Sequence, residues 1–287
     1  MPIQTVIVTG ASTGIGYGTV GVLVEKGFKV FGSVRKQADA DRLKAEFGDA
    51  FTPLLMDVTD QPAILRAADQ VCESLGQLNL TGLVNNAGIS VVGPLLHQPA
   101  ADFRRQLEVN LVSPMMVTQA FAKLLGTDRT REGGAGRIVN ISSVGGKIGG
   151  PFLGAYAASK HGLEGMSESL RRELMLYGID VILIEPGYVN TPILDKAEAE
   201  DFGIYRDTDY GAILDRFSKF FIAEGRKGLH PRAIGEAVHT ALTVRKPKIV
   251  YTIVRQKLKN WTLPMLLPRR TLDRLIGKQL GLSRSQK

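Results

Sequence analysis

The sequence predicts a doubly wound α/β fold around one parallel sheet. Three observations carry that reading. Short runs rich in Val, Ile and Leu alternate with longer helical stretches from residue 5 to about residue 187. Most of these runs are continuously apolar, as strands buried on both faces of a parallel sheet are. A glycine-rich turn, "TGASTGIG" (9–16), falls where the first run passes into the first helix. No repeat and no linker interrupts the 287 residues, so 1–287 reads as a single domain long enough to bury a sizeable core.

The elements follow in order. "TVIVTG" (5–10) is the first strand, and "GIGYGTVGVLVEKG" (14–27) is helical despite its glycines, because Val20, Leu23 and Val24 share one face. "FKVFGSVR" (28–35) is the second strand, "ADRLKAEFG" a helix and "TPLLMDV" (52–58) the third strand. "QPAILRAADQVCESLG" is amphipathic and places Cys72 among packing residues. "TGLVNNAG" (81–88) is a fourth strand ending in a tight turn, and a long helical region spans 100–125. After the loop "REGGAGR" (131–137) comes strand five, "GRIVNISS" (136–143). A helix through Tyr156 runs to about Tyr177, and "IDVILIEPG" (179–187) is strand six. About seven strands are expected in all.

Composition narrows the function. The chain is 44% hydrophobic and 22% charged, which suits a globular protein. A single cysteine excludes an internal disulfide and suits a reducing compartment. The four histidines show no ligand spacing, so no metal site is expected. No apolar run approaches a membrane span, and "MPIQTVIVTG" lacks the basic start of a signal peptide. A cytoplasmic location is expected, with peripheral membrane contact as the variant. The net charge of +8 is uneven: from Arg245 onward there are twelve Lys/Arg and one acid, whereas the remainder is slightly acidic. The extension 255–287 is therefore basic, and Leu272, Leu275, Ile276 and Leu280 fall on one helical face. Such a segment can lie on an anionic membrane or dock on the body. No motif ties its charge to nucleic acid.

Two stretches carry chemistry. In "TGASTGIG", Gly10, Gly14 and Gly16 permit tight turning, and the helix start offers free N–H groups to a pyrophosphate. That makes a Rossmann-type dinucleotide site the expectation, with Thr13 and Ile15 in the turn. An acid ending the second strand would hold a ribose 2′-hydroxyl, but here Ser33 and Val34 are followed by Arg35 and Lys36. Guanidinium pairs well with phosphate, so NADP(H) is expected over NAD(H), with Ser12 able to assist. The alternative is that Arg35 is a solvated loop charge. The second stretch is "AYAASKH" (155–161): Tyr156 and Lys160 share one helix face, and a nearby cation is expected to lower the phenol's pKa. Read alone, the pair also fits a solvated face.

The order "TGASTGIG", "DV" (57–58), "NNAG" (85–88), Asn110, "NISS" (140–143), "YAASK" (156–160) and "PGYVNT" (186–191) resembles the short-chain dehydrogenases/reductases. The likeness runs from Thr5 to about Pro192 and more loosely beyond; "GPFLGAYAASKHGLEGMSESL" is similar to the steroid- and retinol-handling branch. It implies that Tyr156 is the general acid/base and that Lys160 tunes it and holds the nicotinamide ribose. Ser143 would polarise the carbonyl, with Ser142 the fallback, and Asn110 would hold a water linked to Lys160. Read from its surroundings alone, Asn110 is also a buried amide with its bonds satisfied. Asp57 and Val58 would hold the adenine. Asn86, Ala87 and Gly88 would line its ribose, and Asn85 would brace the sheet. Pro186, Gly187, Val189 and Thr191 would hold the nicotinamide.

The segment 191–230 is the expected substrate lid. Phe202, Tyr205, Tyr210, Phe217, Phe220 and Phe221 either line an apolar pocket or form core, with Leu95, Phe152, Val189 and Ile193 as further walls. The expected activity is an NADP(H)-dependent alcohol dehydrogenase or carbonyl reductase acting on a lipophilic alcohol, ketone or aldehyde. The competing reading is a non-catalytic NADP(H)-binding sensor or a membrane-tethered binding protein. The resemblance further implies a homodimer or homotetramer.

Overall fold

A computed structural model describes residues 4–199 and 201–282. Residues 1–3, 200 and 283–287, which belong to the domain, lid and extension ranges read above, lie outside the described residues. The chain begins β1 (Thr5–Val8), α1 (Gly14–Glu25), β2 (Lys29–Val34), α2 (Gln37–Phe47), β3 (Phe51–Leu55), α3 (Gln61–Leu75) and β4 (Gly82–Asn85). It continues α4 (Ala100–Leu107), α5 (Ser113–Phe121), β5 (Arg137–Ile141), α6 (Gly154–Glu173) and β6 (Asp180–Pro186). The last third holds α7 (Ile193–Ala199), α8 (Gly211–Arg226), α9 (Pro231–Thr243), β7 (Val250–Ile253), α10 (Leu263–Leu266) and α11 (Arg269–Leu280).

Among the described residues, seven parallel strands lie in the order β3-β2-β1-β4-β5-β6-β7. The seventh, unlocated in the sequence, is β7, a half-buried edge strand paired to β6. Pro53 sits in the opposite edge strand, where a missing N–H costs no ladder bond. Side chains alternate across the pleat. Val6 and Val8 enter one core with Val30, Val84, Val139 and Ile184, under α1 and α9. Ile7, Phe31, Leu83 and Ile138 enter the other, under α3 and α5. This explains the continuously apolar strands: each face is covered, and each fully buried Val or Leu contributes roughly 1.5–3 kcal/mol.

The order reverses between β1 and β4, which pair with each other while their connections leave in opposite directions. A crevice opens there, at the carboxyl ends of the strands. The long helical region is one bent run: between α4 and α5, "EVNLV" (Glu108–Val112) forms a π-helical turn centred on Asn110. A third apolar cluster contains no strand. It joins Val92, Phe152, Tyr205, Leu214, Phe217 and Leu280, and so ties α8 to α11. No helix among the described residues is long and apolar enough to cross a membrane.

Candidate active site

The glycine turn is shaped by contact. Gly10 has φ +66°, a left-handed conformation that favours glycine, and a Cβ there would meet the Ala87 backbone at 2.9 Å. Gly16 is tighter: its Cβ would lie 2.1 Å from the Gly10 carbonyl oxygen and 2.6 Å from Asn86 Nδ2. The loop is braced from three sides. The Gly10 N–H donates to Ser33 Oγ (2.9 Å), and Asn86 Nδ2 donates to the carbonyls of Thr9 (2.8 Å) and Gly10 (3.2 Å). Thr9 Oγ1 accepts from the N–H groups of Asn86 (2.9 Å) and Ala87 (3.0 Å). The Asn86 amide is thus spent on the loop. The first turn of α1 carries no acid to compete for its N–H groups, and Gly14 and Ile15 of that turn line a cleft.

That cleft holds about 760 Å³. Its wall includes Gly10, Ser12, Thr13, Gly14 and Ile15 from the turn, Arg35, Asp57 and Val58 from the ends of β2 and β3, and Asn86, Ala87 and Gly88 after β4. Asn110, Tyr156, Lys160 and Thr191 complete the other end. Gly16, Ser143, Pro186, Gly187 and Val189 stand outside the wall. The Gly187 N–H donates to Ile253 (3.0 Å) and the buried Val189 bridges to Leu229, so these two fasten the sheet end. Arg35 is exposed, 4.0 Å from Asp57 Oδ2. Asp57 Oδ1 accepts from the N–H (3.0 Å) and hydroxyl (2.8 Å) of Thr59.

At the far end, Asn110 is buried and satisfied. Its Oδ1 accepts from the Ile89 N–H (2.9 Å), and its Nδ2 donates to the Ile89 carbonyl (3.0 Å) and Ser159 Oγ (3.2 Å). Asn85 donates to Asn140 Oδ1 (2.9 Å), and Asn140 in turn donates to Ser167 Oγ (2.8 Å), a buried polar ladder between β4, β5 and α6. Ser143 Oγ accepts from the Gly145 N–H (3.0 Å) and hydrogen-bonds the Tyr156 phenol.

The electrostatics depart from the sequence expectation. Burial pushes the Tyr156 phenol above its ordinary value, opposed by the bond from Ser143. Lys160 does not supply the expected lowering. Its ammonium lies 5.9 Å from the centre of the tyrosine ring and donates to the Ile141 carbonyl at 2.7 Å. Burial lowers Lys160 itself from 10.5 to about 8, although Glu164, one turn further along α6, pulls the other way.

Sequence reasoning missed several groups. Thr9 and Ser33 hold the turn, and Arg42 donates to the Ser12 carbonyl (2.7 Å). Arg104, Arg105 and Glu108 line the cleft from the turns preceding Asn110, a face that follows once Asn110 is placed in the wall. Buried Glu164 and Glu185 both pair with Lys147, at 2.9 and 3.5 Å. Burial raises the Glu185 carboxyl, and the bond from Thr252 opposes that shift. Most of the expected lid aromatics are core. Phe202, Tyr205, Tyr210, Phe217 and Phe221 all join the third cluster, while Phe220 is exposed. Of the remaining wall candidates Ile193 faces the cleft and Leu95 is exposed. Phe152 holds a left-handed φ of +63° with its ring against Phe217 (5.3 Å), a strain repaid by packing.

Comparison with known proteins agrees with this architecture. Residues 4–201 match the family model described as short chain dehydrogenase. The chain is 38% identical over 274 residues to a protein of Ornithobacterium rhinotracheale named NADPH-dependent 3-dehydrocapnine reductase, covering 96% of each. It is 33% identical over 261 residues to retinol dehydrogenase 16 of Mus musculus, covering 86% of this chain and 79% of that one. Among solved structures, a short-chain dehydrogenase from Streptomyces avermitilis superposes with a TM-score of 0.76 at 24% identity, over 100% of this chain and 99% of that one. With a full-length relative at this identity and a family match over most of the sequence, the chain belongs to the short-chain dehydrogenase/reductase family and is an oxidoreductase.

Proposed function

We propose that this oxidoreductase is an NADP(H)-dependent carbonyl reductase and alcohol dehydrogenase whose substrate is a lipophilic ketone, aldehyde or alcohol. The carrying observation is Tyr156: a phenol in the cleft wall, held above its ordinary pKa, bonded to Ser143 and one turn from Lys160. A protonated phenol in the cleft wall is placed to give a proton, which suits the reductive direction.

The residues present fit a dinucleotide. Gly10 and Gly14 present bare backbone to the cleft, and the N-terminus of α1, with no acid in its first turn, suits a pyrophosphate. Arg35 and Ser12 would hold a 2′-phosphate; Asp57 and Val58 would flank the adenine; Asn86, Ala87 and Gly88 would line the adenosine side. Pro186, Gly187, Val189 and Thr191 would shape the nicotinamide end, and Lys160 would hold its ribose. A reduced nicotinamide held there would supply the hydride for reduction of a carbonyl. Ser143 donates a hydrogen bond to the carbonyl oxygen, where negative charge develops. Tyr156 gives that oxygen its phenolic proton. Lys160, near half-charged around pH 8, would restore the proton, and Asn110 donates to Ser159 Oγ, which in turn donates to the Tyr156 carbonyl.

The missing acid after β2 and the NADPH dependence in the O. rhinotracheale relative's name support the cofactor. The names 3-dehydrocapnine reductase and retinol dehydrogenase support a lipophilic substrate. The reading includes 191–230 as the substrate lid, a homodimer or homotetramer, and no nucleic-acid partner. A non-catalytic sensor is disfavoured because Asn110, Ser143, Tyr156 and Lys160 are all intact. The test is a panel of long-chain ketones, retinoids and steroids, read at the nicotinamide absorbance with NADPH and NADH. Turnover abolished in Tyr156→Phe is expected. Cofactor binding with no turnover of any panel member would return the sensor reading.

A further inference from the structure

The extension read from the sequence divides in two. Its end, α11, docks on the body: Leu280 is buried, and Ile276 packs against the cluster of Leu214 and Phe217. The stretch before it does the opposite. Leu258, Leu263, Met265 and Leu266 are 68%, 52%, 46% and 75% exposed, with Leu267 beside them. Three of these lie in α10 and one in the π-helical turn Leu258–Thr262, so the patch is structured and held at both ends, by β7 and by α11.

Consecutive protruding leucines on an ordered element call for a partner. The charge around them selects it. Arg255 and Lys257 precede the patch, Lys259 lies within it, and Arg269, Arg270 and Arg274 follow it, all exposed, against the single acid Asp273. A second copy of the chain would bring one basic rim against another. Nucleic acid would meet the charges but leave the leucines in water. An anionic lipid surface satisfies both, taking the apolar side chains below the headgroups and the cations among them. Trp261, half-buried at the centre, has the amphipathic ring that favours such an interface. We propose that residues 255–274 are an interfacial anchor that seats the protein on anionic phospholipid bilayers, without crossing them.

The test needs no catalytic activity. Trp261 is the chain's only tryptophan, so intrinsic tryptophan emission reports this segment alone. Titration with phosphatidylglycerol vesicles at low salt should shift the emission to the blue and carry the protein up a flotation gradient. Phosphatidylcholine vesicles should do neither, and raised salt should reverse both effects. Leu263→Asp with Leu266→Asp should abolish flotation. Should that pair unfold, Arg269→Gln with Arg270→Gln, both at exposed positions, should weaken vesicle binding roughly thirtyfold, at about fivefold per charge. Absence of flotation with phosphatidylglycerol, equal binding to both lipids, or a blue shift on concentrating the protein without vesicles would each overturn the proposal, the last in favour of self-association.

Discussion

Lys160→Met isolates the cost of burying the lysine charge. Folding lowers this group from 10.5 to about 8. Below pH 8 both folded and unfolded chains carry the proton, and the folded state bears the burial cost. Above 10.5 neither carries it. Between the two, the unfolded chain holds a proton that the folded chain has released, so stability rises with pH across that window. The whole effect is about 3 kcal/mol, of which about 1 kcal/mol is recovered between pH 7 and 9. Methionine keeps the stem and removes the ammonium. It also deprives the Ile141 carbonyl of its donor, a cost that does not change with pH and cancels from the comparison. Urea unfolding of both proteins at pH 7 and 9 measures the difference. The wild type should gain about 1 kcal/mol on the variant over that interval. Parallel pH profiles would mean that Lys160 is solvated in the folded chain, and the assignment of a depressed, proton-shuttling lysine would fail.

Tyr156→Phe should abolish turnover while NADPH binds within a few-fold of wild type, because the ring still fills its place; retention of most of kcat would remove the tyrosine from the mechanism. Arg35→Asp should shift the kcat/KM ratio from NADPH towards NADH by about tenfold to a hundredfold, since bonds to charged groups are worth roughly 1.5–3 kcal/mol. A ratio unchanged within about twofold would make Arg35 a solvated charge. Gly16→Ala should cost at least about tenfold in NADPH affinity, as the loop moves to clear a contact of 2.1 Å. Affinity kept by this variant in isothermal titration would show the cradle to be looser than its geometry.

The strands were legible because a sheet covered on both faces favours apolar residues at successive positions, as in "VILI" (181–184). β7 was not legible: "VYTI" is a half-buried edge strand with little to mark it. The turn was legible from its glycines, although Gly16 owes its identity to a carbonyl six residues back rather than to a ligand. Tyr156, Lys160 and Asn110 were found by pattern and do meet at one end of the cleft. Their electrostatics were not, because i, i+4 spacing gives a shared face but not depth; burial overturns the lowering that a nearby ammonium implies. The aromatics after Thr191 were ambiguous for a similar reason. Helical spacing marks one face, and only the fold shows that this face meets Phe152 and Val92 and so builds its own core.

That separate core bears on how new specificities arise. The two large cores under the sheet share no member with the cluster joining α8, α11, Phe152 and Val92. Substitutions in the cap therefore leave strand packing and the glycine turn untouched, and their costs should add to those of changes elsewhere. Such a cap can drift or lengthen as a module of its own, with little consequence for the half that carries the glycine turn.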